Sequence, residues 1–392
     1  MDAHILIIGL CLVLIASFFY NYLLKKFQIS PVLLLILTGI GLKLASAHFG
    51  VNFNISSNFL AVCGTLGLIA IVLEASFDLK VNASNRRMVV STFLIATLIM
   101  LLSMLAVAAI FWVTYQVSWL RAILYALPFA IVSSAIVLPS ITKLTEKKRE
   151  FLAFDSIFSD IVGVLIFNFV VASEFKSVAS LLNGFSSLML MLLLSIAVSI
   201  PLALLINRNH SPNRHVFILA VLILVYALAK VWHLSALILI LIFGLTLNNI
   251  HLLFSRTRFK SWFNLPLLEQ ELAKLCELTS IFAFVIRTVF FVVLGYSLNL
   301  SLLLNWSVIL LGLAIVGLIY GVRLLILKIF LQYDLLTATL TAPRGLITVL
   351  LFYQIPNKFA IDKFNSGVVF FVVVVTSLVM SFELVRQARH VN

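Results

Sequence analysis

The sequence predicts an all-α polytopic membrane protein of about thirteen transmembrane helices, arranged as two inverted six-helix repeats with a broken helix in corresponding positions of each half. Three observations predict it. Of the 392 residues, 63% are hydrophobic and 10% charged, with a mean hydropathy of +1.20. A soluble domain is nearer half apolar and a quarter charged, and no water-soluble fold hides this much apolar surface. Apolar runs of about 18 residues or more recur along the whole chain. Basic residues alternate between successive loops in the way membrane topology requires.

The runs fall at roughly 3–24, 30–47, 57–77, 88–114, 119–144, 151–173, 179–207, 214–230, 232–248, 275–297, 303–327, 335–355 and 365–385. No positive n-region precedes the first run, so it is read as a retained helix rather than a signal peptide. No linker or low-complexity segment divides the chain, and a single transmembrane domain, 1–392, without a soluble regulatory domain is expected. Within it, 1–173 forms the first repeat, 179–207 a linker helix and 214–385 the second repeat. An odd helix count suits two repeats of six joined by one extra helix.

With the amino terminus outside, the inward loops hold Lys25, Lys26, Lys80, Arg86, Arg87, Lys143, Lys147, Lys148, Arg149, Arg208, Arg214, Arg256, Arg258, Lys260, Lys274, Arg323, Lys328, Arg386 and Arg389. The outward loops hold only Lys43, Arg121, Lys176, Lys230, Lys358 and Lys363. That asymmetry places the carboxy terminus in the cytoplasm and the chain in the cell (inner) membrane. It also accounts for the net charge of +13 without nucleic acid. The basic loop 249–274, with Arg256, Arg258 and Lys260, is read as part of the same inward charge. Cys11, Cys63 and Cys276 lie in apolar runs and form no CxxC pair, so neither a disulfide framework nor a metal cluster is expected. No HExxH and no phosphate-binding glycine loop occurs, which disfavours an enzyme, an ATP-driven pump and any organic cofactor.

Charge inside the runs is where chemistry is expected, because an ionised side chain at mid-bilayer costs several kcal/mol unless it is paired or faces water. The stretch "FLAFDSIFSDIVGVLIFNFV", 151–170, carries Asp155 and Asp160. Five residues apart on a helix they diverge by about 140°, so they do not form a carboxylate dyad. Arg287 and Arg344 lie in later runs. Two acids and two arginines balance, and Asp155–Arg344 is read as a structural ion pair. "LPFAIVSSAIVLP" sets Ser133 and Ser134 between Pro128 and Pro139, and "TATLTAPRGLITVLL" sets Pro343 and Gly345 around Arg344. Both read as helices broken near the midplane, where freed backbone groups can hold a small ion. Glu74 ends the third run in "VLEASFDLK" and is read as interfacial.

At these residues the sequence resembles the monovalent cation:proton antiporter superfamily, the sodium/proton exchangers, along essentially the whole chain. "FDSIFSDIVGVLIF" is similar to that family's acidic helix, "APRGLITVLLF" to its Arg-Gly helix, "VSSAIVLP" to its unwound crossing segment, and "SPVLLLILTGIGL" to its Pro…Gly helix. The resemblance implies an antiporter fold in which Asp160 is the ion-binding carboxylate. Ser159 then takes the place of the family's Asn or Asp, and Asp155 that of an upstream Glu paired with Arg344. It implies a homodimer in lipid that exchanges a cation, sodium first, for protons. With one carboxylate at the pair, exchange is expected to be electroneutral, with access alternating between the two sides. Hydroxyls of Ser156, Ser159, Ser133 and Ser134 join Asp160 as oxygen ligands for a hard monovalent cation. "RTVFFVVLG" puts Arg287 where the family often has an acid, and two readings stand: it tunes a neighbouring carboxylate or neutralises a second one. Alternatives on related folds are potassium/proton exchange, potassium efflux and symport of an organic anion. A hydrolase using both acids would need a second acidic motif, which is absent.

Overall fold

The structure is a computed structural model and describes residues 9, 11–20, 22, 31–48, 57–78, 86–141, 143–173, 178–208, 214–231, 236–249, 265–297, 305–331 and 334–391. Among these residues every regular element is helical. In chain order they are α1 (Cys11–Tyr20), α2 (Pro31–His48), α3 (Ser57–Asp78), α4 (Arg86–Tyr115), α5 (Trp119–Ala130), α6 (Ser134–Ser140), α7 (Glu146–Ser173) and α8 (Val178–Arg208). Then come α9 (Arg214–Val231), α10 (Ala236–Asn248), α11 (Leu265–Ser297), α12 (Trp306–Phe330), α13 (Leu335–Leu340), α14 (Leu346–Tyr353) and α15 (Gly367–Val391). A 3-10 turn, Asn357–Phe359, lies between the last two.

Two pairs, α5 with α6 and α13 with α14, are halves of single spans. The fifteen described helices therefore make thirteen segments, at the positions where the apolar runs predict them. Among the described residues, six spans are long and apolar enough to cross a membrane: Arg87–Tyr115, Trp119–Ser140, Glu146–Ser173, Glu269–Ser297, Trp306–Phe330 and Gly367–Gln387. Long β-branched runs become helices here because hydrocarbon offers the backbone no partner outside its own segment. The inward loop basics Lys25, Lys26, Lys80, Arg256, Arg258 and Lys260 lie outside the described residues.

The chain forms two compact units. One comprises Leu66–Val89 and Val164–Phe284. In it α10 packs on α8 and α9. The side chain of Asn248 donates to the Phe77 carbonyl at 2.6 Å, joining the ends of α10 and α3. Buried Glu271 lies 3.2 Å from His215 and 3.0 Å from Lys274. Glu74 accepts from the Ser280 hydroxyl at 3.0 Å.

The other unit comprises Met1–Thr65, Val90–Gly163 and Val285–Asn392. It contains both breaks. α12 packs on α13 and α15, and α14 packs on α5 and α15. A buried apolar cluster joins α4, α6, α7, α12 and α13 through Ile95, Ile99, Val137, Leu152, Leu327 and Ala338. At the α4–α5 turn, Trp112 and Trp119 stack with ring centroids 5.2 Å apart and stay half-exposed, as amphipathic rings do at a membrane–water interface. The first turn of α7 is tied to the start of α13 by the Lys148–Asp334 ion pair.

Backbones touch where α2 meets α11. A Cβ on Gly39 would meet the Val292 carbonyl and the Tyr296 amide, and one on Gly295 would meet the Ile36 carbonyl. Gly39 of "LTGIGL" and Gly295 of "VVLG" thus let two helices approach to backbone contact. By contrast, a Cβ on Gly41 meets nothing within 4 Å. We predict that Gly39→Val destabilises the protein by at least about 1–3 kcal/mol, since the obstructing atoms are backbone. Gly41→Val leaves stability unchanged. Thermal unfolding followed by size-exclusion chromatography reads the difference.

Candidate functional site

The site is best derived from the backbone groups that the two breaks release. In a continuous helix each N–H donates to the carbonyl four residues back. Between α5 and α6 the chain turns extended at Ile131 and Ser133, with ψ of 129° and 110°. Pro128 and Pro139 themselves sit inside the half-helices, and the unwinding falls between them. Buried in apolar surroundings, each released donor and acceptor needs a partner.

Three donors of the first break find one across the fold. Val132 N–H donates to the Ser159 hydroxyl at 2.9 Å. Ser133 N–H donates to the Pro343 carbonyl of the second break at 3.0 Å. Ser134 N–H donates to Asp160 Oδ2 at 2.9 Å, and the Ser134 hydroxyl donates to the same oxygen. Broken helix therefore meets broken helix, and one carboxylate of α7 receives two donors from the start of α6. Approach is close enough that a Cβ on Gly345 would run into the Ser133 side chain; "PRG" carries its glycine for that contact.

Acceptors are served by arginines. Ser133 N–H would bond the Phe129 carbonyl in an unbroken helix. That carbonyl instead receives Arg344 Nε at 2.6 Å, and Arg344 Nη1 donates to the Ala342 carbonyl at 2.7 Å. Likewise the Ala338 carbonyl of α13, released by the second break, receives Arg323 Nε at 2.9 Å. Each guanidinium lies at the carbonyl end of a half-helix, where the helix dipole favours positive charge. Arg287 does similar work at 3.4 Å: its Nη1 donates to the Ala135 carbonyl, which lacks its own helical donor because residue 139 is a proline.

This accounting corrects the expected ion pair. Asp155 does not pair with Arg344. Its Oδ2 receives Arg323 Nη2 at 2.5 Å, with the two side chains 2% and 1% exposed. Arg344 is held by the carbonyls of the breaks, while Arg323 reaches Asp155 and the second break together. Arg323 is also not an inward-loop residue, as the topology reading had it. It lies in α12, about 10 Å of helix before Phe330, and is fully buried. The sequence signal was present: "RLLILKIF" continues the apolar run beyond it.

Of the other expected site residues, Ser134 and Ser159 are brought to Asp160 and to the first break, and Ser133 to the second break. Ser156 is fully buried, but its hydroxyl turns back to the Ala153 carbonyl of its own helix at 3.0 Å. Three polar residues of the unit that contains both breaks were not singled out from sequence. Thr376 of α15 accepts the Arg344 N–H at 2.9 Å. Glu383, 1% exposed, holds Arg386 at 2.8 Å, and Thr337 donates to it at 2.9 Å. Only the "ELVR" spacing of an acid and a base three residues apart hinted at this cluster.

The buried acids thus differ in their company. Asp155 has Arg323, Glu383 has Arg386, and Glu271 has Lys274. Asp160 is 3% exposed and has no basic residue within ion-pair distance among the described residues. Its Oδ1 and the Ser133 hydroxyl are buried without a hydrogen-bond partner there. No group of three or more His, Cys, Asp or Glu that could hold a metal ion occurs among the described residues.

A buried acid where two broken helices meet, in a chain of many apolar helices, defines a class of polytopic membrane protein. The comparisons give the class its name. The family model described as sodium/hydrogen exchanger, transmembrane, matches residues 13–386, and the chain belongs to that family, one of transporters. Two solved structures of the sodium proton antiporter MjNhaP1 from Methanocaldococcus jannaschii share the fold. One superposes with a TM-score of 0.75 at 18% identity, covering 97% of this chain and 100% of that one. The other gives 0.69 at 18% identity, covering 99% and 97%. No curated protein matches by sequence.

The geometry predicts a double-mutant result. Removing one partner of a buried pair leaves an unmatched charge, so Asp155→Leu or Arg323→Leu alone costs about 3–5 kcal/mol. The double variant Asp155→Leu/Arg323→Leu recovers much of that loss. Asp155→Leu combined with Arg344→Leu recovers none. Thermal unfolding of the purified variants reads the coupling.

Proposed function

We propose that the chain is a secondary antiporter exchanging a monovalent cation, sodium first, for a proton, one for one, at Asp160. The observation that carries this reading is the unmatched acid. A carboxylate buried without a basic partner is held either with a proton on its oxygen or beside a cation, because the isolated charge is costly there. The two loads exclude one another at a single site, which is the chemical basis of exchange. Proton and sodium carry the same charge, so the two loaded forms are electrically alike and the cycle moves no net charge.

The Asp160 carboxylate and the Ser133 hydroxyl supply oxygen for a hard cation. Ser134, Ser159 and Ser156 each retain acceptor capacity beyond the bonds they make. Asp155 with Arg323 acts as a brace that anchors α7. Arg344 and Arg287 hold the half-helices and leave the acid unpaired. In this reading 1–173 and 214–385 are the two inverted repeats, 179–207 links them, and access to Asp160 alternates by one part of the fold moving against the other. The protein works as a homodimer in the cell membrane, amino terminus outside and carboxy terminus in the cytoplasm.

The test is proton movement in proteoliposomes carrying an internal pH dye. Sodium, lithium or potassium is added outside to wild type and to Asp160→Asn. Cation-driven proton movement in wild type, abolished in the variant and unaffected by clamping the membrane potential, is the expected result. The cation that works identifies the substrate. Absence of proton movement with all three cations overturns the reading.

A further inference from the structure

The two breaks are held by the same device. At the first, the Val132 N–H donates at 2.9 Å to Ser159, a hydroxyl of α7, the helix that follows the broken span. At the second, the Arg344 N–H donates at 2.9 Å to Thr376, a hydroxyl of α15, again the helix that follows. Thr376 is fully buried, and its own hydrogen goes to the Val372 carbonyl at 2.7 Å. That leaves the oxygen oriented as an acceptor for the unwound segment. The parallel extends one residue further. Asp160 follows Ser159, and Ser377, a fully buried hydroxyl with no hydrogen-bond partner among the described residues, follows Thr376. One side of the crossing carries an acid where the other carries an alcohol.

A continuous path joins Thr376 to the acid. It fixes the Arg344 amide. The adjoining Pro343 carbonyl accepts from Ser133 N–H at 3.0 Å. The next residue, Ser134, gives Asp160 its N–H at 2.9 Å and its hydroxyl. The side chains of Thr376 and Ser134 in this path each turn about a single torsion before the reaching oxygen, and the Pro343–Ser133 link is backbone to backbone.

We infer that Thr376 is a positioning residue of the transport site: by holding the second break it sets the donors that Asp160 receives from the first. This rests on Asp160 being the exchanged carboxylate. Arg344 has a second role within it, since its guanidinium takes the Phe129 carbonyl while its amide is held by Thr376. The residue therefore ties the end of α5 to α15.

Two variants of the full-length protein in lipid nanodiscs test this. Thr376→Val keeps the shape and removes the acceptor, and Thr376→Ser keeps the acceptor. Amide hydrogen exchange is followed in peptides covering 341–346 and 131–135. Loss of one hydrogen bond in this setting is expected to speed exchange about fivefold or more in both segments of Thr376→Val, with Thr376→Ser like wild type. Acceleration confined to 341–346, or none at all, overturns the proposal. In proteoliposomes the apparent sodium KM of Thr376→Val rises about fivefold while turnover at saturating sodium is kept, and Thr376→Ser restores it. A merely structural threonine would instead lower the active fraction at unchanged KM, and that result overturns the proposal too. If wild type moves no protons with any cation, the antiport reading fails by itself, and the exchange measurement still decides the link from Thr376 to the first break.

Discussion

Everything at this site follows from one constraint: a helix broken inside hydrocarbon must find partners for the backbone groups it releases. Water is absent, so side chains or other backbone must supply them. Val132, Ser133, Ser134 and Arg344 release N–H donors, and Phe129 and Ala338 release carbonyls. The residues that answer are Ser159, Pro343, Asp160 and Thr376 for the donors, and Arg344 and Arg323 for the acceptors. Ser159, Asp160, Thr376, Arg344 and Arg323 all serve that purpose. Their identities follow from valence: hydroxyl and carboxylate where an N–H points in, guanidinium where a carbonyl points in.

In the proposed function, that arrangement separates holding the fold from handling an ion. Arginine cannot lose its proton inside a protein and offers only donors. It suits the permanent task of capping two half-helices. The Asp155–Arg323 contact adds a brace between α7 and α12, where removing either partner strands a charge. Asp160 alone among the buried acids discussed has only neutral donors, both from Ser134. A site that must release its positive partner in every cycle cannot use a fixed arginine as that partner. In the proposed cycle the proton and the cation take the place that arginine fills elsewhere.

The correction at Asp155 illustrates what pattern reading handles badly. Two acids and two arginines inside apolar runs invite pairing by count, and Arg344 sits in the family-like "PRG" motif. Counting charges says nothing about carbonyls, and it was a backbone carbonyl, Phe129, that claimed Arg344. Arg323 was assigned to a loop because lone basic residues near run ends usually mark the cytoplasmic edge. Burial on α12 places it among the helices instead, and the apolar "LLIL" after it is the feature that separates the two cases. Thr376 and Ser377 lie in a run of valines with no sequence feature to distinguish them from threonines and serines that bond their own helix.

By itself the sequence determined that the chain is helical and membrane-spanning, where its thirteen segments lie, that two of them break, and that Asp155 and Asp160 sit in an apolar stretch. These properties are local: hydropathy, proline and glycine positions and the cost of charge act over a single segment. Which partner each polar group takes was decided only by the tertiary structure. Arg323 lies 168 residues from Asp155, Arg344 lies 215 from Phe129, and Ser134 lies 26 from Asp160. Those meetings depend on how the broken helices meet, which is set by packing and by close approach at Gly345. A linear pattern does not encode that geometry.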